Sequence, residues 1–348
     1  MALILRQKYL GIRLSNGIDY LKEHHDHLRQ AATRGANTLR KRSLWSCNRF
    51  IVSREMWKAV AVPGLTFANA VVCVPGDVRT ILERRQREVG RQALGCHGTV
   101  ANEAVQGDLG WSSFEAREAA SKVGYDGRLR HMDRCRWAKR LFVYTYLTAL
   151  QTRWRKRLYQ LEKKFGFFAD PVEATTGKEW ESVVRKRVRE QENVQWFEAA
   201  QTKSTLTVYA GEKQQITAET RLYDNSLGSR LLFEARAGAL RTLVYRKRFD
   251  TNVQSTVCGV CQAESETAEH IILYCEGLRP APTEEANQSL GSVLPLAAAL
   301  GFSTSEGADN TVAWRKTVEK TKRRLEDWWH KTRHTIGGAE VAPRLGHA

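Results

Sequence analysis

At 348 residues the chain is long enough for two or three domains, each able to bury its own core, so size alone demands neither a disulfide nor a metal. Fifty-five Lys and Arg against 38 Asp and Glu leave a formal charge of +17, spread in clusters from Arg34 to Arg324 instead of one tail. Such a surface attracts polyanions, nucleic acid first among them. Seven cysteines, an odd number, with Cys47, Cys73, Cys96 and Cys135 scattered, and no secretory leader at MALILRQKYLG argue against a disulfide framework and for a reducing, intracellular setting, nucleus or cytoplasm.

In chain order, KYLGIRL at 8–14 reads as a strand. The stretch GIDYLKEHHDHLRQAATRGANTLRKRSLW reads as a helix, or a pair broken near Gly35. The most apolar segment, AVAVPGLTFANAVVCVPG at 59–76, carries Pro63, Asn69 and Pro75 and is too short to span a membrane. It reads as buried helix around a proline-bent turn, and no membrane partner is expected. GDVRTILERRQREVGRQALG is a second helical block, with Asp77 as N-cap and Gly95 as its stop.

A long helix is expected over about 142–165. At about 100° per residue, Leu147, Leu150, Trp154, Leu158, Leu161 and Phe165 share one stripe. Between Arg128 and Phe165 stand twelve Lys and Arg against two acids, Asp133 and Glu162. Arg134, Arg136, Lys139, Arg140, Arg153, Arg155, Lys156 and Arg157 are the candidate phosphate contacts on this ridge, with Trp137 beside them to stack on bases and Trp154 assigned to the core. For any single one of these cations, a solvated helix face remains the competing reading. STLTVY at 204–209 alternates like a strand. GALRTLVYRKRF adds Arg241, Arg246, Lys247 and Arg248 just ahead of the sharpest motif in the chain.

That motif is CGVCQAESETAEHIILYC, residues 258–275. Cys258-x2-Cys261 supplies two thiolates from a tight turn, and His270-x4-Cys275 supplies an imidazole and a third thiolate about one helical turn apart. Four soft or borderline ligands fill a tetrahedral shell, as one structural Zn2+ requires, and leave no open position for catalytic water. The loop QAESETAE is short and polar, so little but the metal could organise it. Beyond it, residues 276–310 have linker composition, and a last amphipathic helix has Trp314, Val318, Thr321, Leu325 and Trp328 on its stripe, with Arg315, Lys316, Lys320, Arg323 and Arg324 outside it.

With these segments in view, the chain resembles the C-terminal part of the reverse transcriptase of a non-LTR (LINE-type) retrotransposon: end of palm, thumb and CCHC zinc knuckle. CGVCQAESETAEHIILYC is similar to the family knuckle, with Cys258, Cys261, His270 and Cys275 at its ligand positions. KYLGIRL resembles the last palm strand, VAVPGLTFANAV the thumb segment, and ILERRQREVGRQALG with VQGDLGWSSFEAR the helical stretch after it. The paired aspartates of the family's catalytic motif are absent, since no Asp-Asp pair occurs anywhere, and neither a Pro-Asp pair nor an acid-x-Lys nuclease pattern follows Cys275. Two-metal phosphoryl transfer needs such carboxylates, so no enzyme activity and no small-molecule substrate are expected.

The resemblance implies a mainly α fold: a helical thumb-like bundle with few short strands, then a small zinc knuckle and a terminal helix. Its expected divisions are an end-of-palm remnant at 1–15, a thumb-like region at 16–125 and a basic helical region at 126–250. The knuckle at 251–280, a linker at 281–310, the terminal helix at 311–334 and a disordered tail at 335–348 follow. The expected function is non-catalytic binding of RNA or an RNA–DNA hybrid, possibly DNA, through basic helices and knuckle. The alternative is a zinc-stabilised helical protein-interaction module.

Overall fold

A computed structural model of the chain describes residues 6–43, 46, 48–168, 176–281, 296–302 and 311–336. The fold is mainly α, as expected, with one two-stranded sheet among the described residues. Two compact units divide it: 1–93 with 105–199 and 215–218, and 94–104 with 200–214 and 219–348. No helix among the described residues is long and apolar enough to cross a membrane.

In the first unit, KYLGIRL is not one strand but a hairpin. Strands β1 (Arg6–Tyr9) and β2 (Ile12–Ser15) pair antiparallel, with Tyr9 opposite Ile12. Leu10 and Gly11 between them have φ of +46° and +88°. A two-residue turn with both φ positive matches the twist of the strands it joins; Gly11 adopts it freely, and Leu10 carries the left-handed backbone with its side chain. Helix α1 (Lys22–Ser43) runs unbroken through Gly35, whose bare backbone faces Ala61 and Trp57. Only the first half of the 59–76 segment is helix: α2 (Arg49–Met56) passes through one wide turn at Trp57–Ala61 into α3 (Val62–Thr66), which carries Pro63 in its first turn. Residues 67–75 are turn and irregular chain, with Val60, Phe67 and Val71 exposed against the expectation of a buried helix. Trp57 is fully buried there and donates its indole N–H to Gln86 on α4 (Gly76–Leu94), 3.1 Å away.

Helices α5 (Asn102–Leu109) and α6 (Phe114–His131) follow, the latter capped by the Ser113 hydroxyl. The boundary expected at 125/126 falls inside α6. Ala116, Ala119 and Val123 share a core with Leu158, Leu161, Phe165, Val184 and Val188, so the chain on both sides of that boundary folds together.

The helix expected over 142–165 is two. α7 (Trp137–Leu147) stops at Ala149, which has φ of +50°, and α8 (Arg153–Lys164) restarts with the Thr152 hydroxyl accepting the Arg155 N–H at 3.1 Å. A threonine N-cap outweighs continuation of an apolar stripe, because it satisfies a backbone donor that a restart would leave free. The stripe is accordingly split: Leu158, Leu161 and Phe165 are buried, whereas Leu147 is 82% and Leu150 49% exposed. Helix α9 (Gly177–Gln201) closes the unit, and Trp180 on it lies where any Cβ at Gly127 would collide.

Beneath α8, Glu162 faces buried Asp126, with Arg130 and Tyr146 in the same group. Burial first, then the Asp126 charge, push Glu162 up to about 7, against the pull of Arg130. A carboxyl whose folded pKa exceeds its unfolded value binds an extra proton in the folded state, so this contribution is complete below 4.5 and is lost as pH rises through 7. Glu162→Gln is expected to leave thermal stability nearly unchanged at pH 5 and to raise the melting temperature by about 2–4 °C at pH 8. Equal effects at the two pH values, read by calorimetry, would contradict this.

In the second unit, STLTVY is not a strand. It is a short 3-10 turn, Ser204–Leu206, running into α10 (Thr207–Glu212). Leu206, Tyr209 and Ala210 are buried, the spacing of one helical face. Helix α11 (Leu227–Arg236) approaches the C-terminal helix so closely that a Cβ at Gly228 would lie 2.7 Å from the Lys322 carbonyl. Part of the expected linker is ordered: Leu296–Ala299 form helix α13, after α12 (Leu243–Arg246), and Ala299, Leu300 and Phe302 are buried. Buried Arg236 lies 3.9 Å over the Phe302 ring and donates to the Leu300 carbonyl at 2.7 Å. Residues 282–295 and 303–310 of that linker, and the tail from 337, lie outside the described residues. The last helix, α14 (Thr311–Ile336), buries Val318, Thr321, Leu325 and Trp328 as its stripe foretells.

Candidate metal centre

The two cysteines of the CxxC turn are held by backbone pairing. Cys258 N–H donates to the Glu264 carbonyl at 2.7 Å, Glu266 N–H to the Thr256 carbonyl at 2.7 Å, and Val257 bridges Ser265 antiparallel. Backbone hydrogen bonds therefore help to organise the loop 262–269, where the sequence offers little but a metal to do so. Gln262 takes φ of +57° to turn the chain after Cys261.

The second pair comes from one wide turn, His270–Tyr274, of π-type helix, closed by Cys275 N–H on the His270 carbonyl at 2.8 Å. In an α-helix, residues five apart point about 140° away from each other. An i→i+5 turn stacks them instead, which is how an x4 spacing brings His270 and Cys275 to one side. The Thr267 hydroxyl accepts the His270 N–H at 3.0 Å and starts the turn.

These two devices gather Cys258, Cys261, His270 and Cys275, with all four ligand atoms within 4.8 Å of one another. Cys258 Sγ and Cys275 Sγ are 3.9 Å apart, and Cys261 Sγ and His270 Nε2 3.3 Å. A tetrahedral ion at about 2.3 Å from sulfur and 2.0 Å from nitrogen needs ligand separations of roughly 3.5–3.8 Å. The cluster could hold one metal ion, and Cys258, His270 and Cys275 are buried. His270 Nδ1 lies 2.8 Å from the Glu264 carboxylate, which leaves Nε2 to face the thiols. A carboxylate behind a histidine fixes its tautomer and makes it a stronger ligand.

Burial raises the Cys258 thiol and pushes Cys275 up to about 12, helped by Cys258 beside it. Burial opposes ionisation of Cys261 as well, but the Ala263 and Glu264 N–H groups and His270 prevail and bring it to about 6. Three thiols this close do not all ionise on their own account; a divalent cation among them is what favours three thiolates.

Behind the turn stands a residue that the sequence placed on the solvent side of α14. Arg324 is buried, and its guanidinium donates to the carbonyls of Ile271 at 3.0 Å, Cys275 at 2.9 Å, Leu278 at 3.4 Å and Pro280 at 2.6 Å. A wide turn and the bend after it leave carbonyls without helical partners, and one planar fork serves them all. On the other flank, the Glu266 side chain accepts the Leu243 N–H at 3.0 Å and so fastens α12 to the loop. Arg246 in that basic segment pairs with Asp250 at 3.0 Å, while Lys247 and Arg248 are exposed and Arg241 is half-buried.

The basic ridge belongs to the first unit. Arg134, Arg136, Arg140 and Lys156 are exposed, and Arg153 is exposed at 3.8 Å from Asp19. Lys139 is half-buried and donates to the Arg130 carbonyl at 2.7 Å. Two cations are committed inward and are corrected as ligand contacts. Arg157 joins Glu115 at 2.9 Å and Glu118 at 2.7 Å, and Arg155 caps α7 by donating to the Thr145 carbonyl at 2.9 Å with its guanidinium 4.3 Å from the Tyr146 ring. Trp137 is 81% exposed with Arg140 over its ring, and Trp154 is half-buried, donating to the Ala70 carbonyl at 2.8 Å. None of the side chains of α7 is buried.

The fold and site thus define a mainly helical protein with a Cys3His cluster. Comparison with protein-family models, characterised proteins and solved structures finds no match to this chain.

Proposed function

We propose that the chain is a non-catalytic nucleic-acid-binding protein, related to the C-terminal part of a non-LTR retrotransposon reverse transcriptase, that carries one structural Zn2+ and grips RNA or an RNA–DNA hybrid. The observation that carries the reading is α7 with its flanks: Trp137 and Tyr144, 81% and 59% exposed, lie on it beside the exposed cations Arg134, Arg136 and Arg140, and α8 adds exposed Lys156. Cations that follow a phosphate backbone beside exposed aromatic rings are the composition of a sequence-tolerant single-strand or hybrid platform. Zinc is the metal that suits three thiolates and an imidazole in a closed shell, and its role is to hold the loop to which the Leu243–Arg246 segment is tied.

A second reading, a zinc-stabilised protein-interaction module, is favoured by Leu141 and Leu147, 63% and 82% exposed on the same helix. One experiment separates them. Affinity for a short RNA–DNA hybrid, measured across a salt series, is expected to fall by about 0.7–0.9 log units per phosphate contact for each log unit of salt. The triple reversal Arg134→Glu/Arg136→Glu/Lys156→Glu is expected to weaken binding at least about tenfold and flatten that slope. Unchanged binding in the triple variant would discard the nucleic-acid reading in favour of the protein partner.

A further inference from the structure

The first unit holds a cleft of about 580 Å³ that none of the features above uses. That volume is in the range of sites for nucleotide-sized ligands and far exceeds what one ordered water needs. Five cations line it, Arg54, Lys58, Arg117, Arg185 and Arg189, with Glu192 as the one carboxylate.

Their charges are poorly cancelled. Arg54 pairs with Glu55 outside the cleft and also donates to the Leu109 carbonyl at 2.7 Å. Arg185 reaches Glu181 only at 3.5 Å. Lys58 and Arg189 are exposed, and among the described residues neither has an ion-pair partner. Arg117 is held in place by a 2.8 Å bond to Gln86, a neutral amide, and burial disfavours its charge, opposed by the Glu83 and Glu192 charges. Glu192 is already occupied, accepting the Ser113 N–H at 2.6 Å.

Trp111 lines the cleft and is 3% exposed, with its indole N–H buried and without a hydrogen-bond partner. Val62, Ala116, Ala120, Val188 and Ile216 give the remaining wall an apolar character suited to a ring system.

We propose that this cleft binds a phosphate-bearing ligand of nucleotide size, with its phosphates against Arg54, Lys58, Arg117 and Arg189 and its ring system on the apolar wall. The site is separate from the α7 platform and does not depend on the nucleic-acid reading. Its ligand is either a free nucleotide or the phosphorylated end of a strand, and the two share this chemistry.

The test is calorimetric titration of the full chain at moderate salt with ATP, adenosine, and a trinucleotide with and without a 5′-phosphate. ATP or the phosphorylated trinucleotide should bind, and adenosine and the unphosphorylated trinucleotide should bind at least tenfold more weakly. Arg189→Glu and Lys58→Glu should each weaken the phosphorylated ligand about fivefold or more, while Lys163→Glu, an exposed cation outside the cleft, should not. Both variants change exposed side chains, so folding is preserved and is checked by circular dichroism; Arg117 is left intact because Gln86 ties it to Trp57. Sensitivity seen with ATP assigns a free nucleotide, and sensitivity confined to the phosphorylated trinucleotide assigns a strand end. Failure of both to bind the folded protein at millimolar concentration, or binding indifferent to Arg189→Glu and Lys58→Glu, overturns the proposal. Because neither residue belongs to the α7 platform, hybrid binding lost in the Arg134/Arg136/Lys156 variant has no bearing on this outcome.

Discussion

Cys258→Ser is expected to abolish stoichiometric zinc binding and to unfold the segment around 256–278. Structural zinc in a small site supplies on the order of 10 kcal/mol of local folding free energy, and a serine hydroxyl is a poor substitute for a buried thiolate. Cys258 lies at 0% exposure beside Cys275, so its replacement leaves no solvent-side ligand to take over. Metal content by elemental analysis should fall from one equivalent to near zero. The melting temperature of the second unit should drop by about 10 °C or more, and a chelator should reproduce that drop in the wild-type chain. A variant that keeps its metal and its melting temperature would show that the four residues do not act together.

Arg324→Leu is the second large effect. Leucine fills part of the volume but leaves the carbonyls of Ile271, Cys275 and Pro280 without the donor they share, while Leu278 keeps a second donor in Arg279 at 3.2 Å. Each buried acceptor left bare costs about 1–3 kcal/mol, and the three are not independent, so a loss of about 2–4 kcal/mol is expected in urea denaturation. Arg324→Lys should recover about half, since one ammonium cannot spread over four carbonyls as a planar fork does. A loss below about 1 kcal/mol for the leucine variant would mean that water serves these carbonyls instead.

The four ligands were legible because thiol and imidazole spacing is a local property of the chain. The stripe of α14 and the stop at Gly95, with φ of +71°, were legible for the same reason. What was hidden depends on distant partners. Nothing near Arg324 in sequence distinguishes it from Arg323, which is exposed, until the turn at 270–274 arrives behind it. Glu264 looked like one more polar loop residue until His270 came within 2.8 Å. The break at Ala149 carried a local sign, Thr152 ahead of a new charged turn, but an uninterrupted apolar stripe argued louder. Alternation misled at 204–209, where six residues fit either period and burial of Leu206 and Tyr209 decided for helix. The cleft beside Trp111 gathers residues from positions 54 to 218, so no window of sequence could contain it.

The wide turn at His270–Tyr274 is grasped from two directions, by the ligand pair on one side and by Arg324 on the other. Both grips require the same unusual backbone, so an ion bound by the cluster and the last helix would be thermodynamic allies. Whatever factor the docked helix adds to metal affinity, the metal must return to the docking of the helix. If the cluster holds an ion, a chain cut before residue 311 should therefore bind it more loosely, although no ligand has been removed, and a chelated chain should release that helix to proteases first.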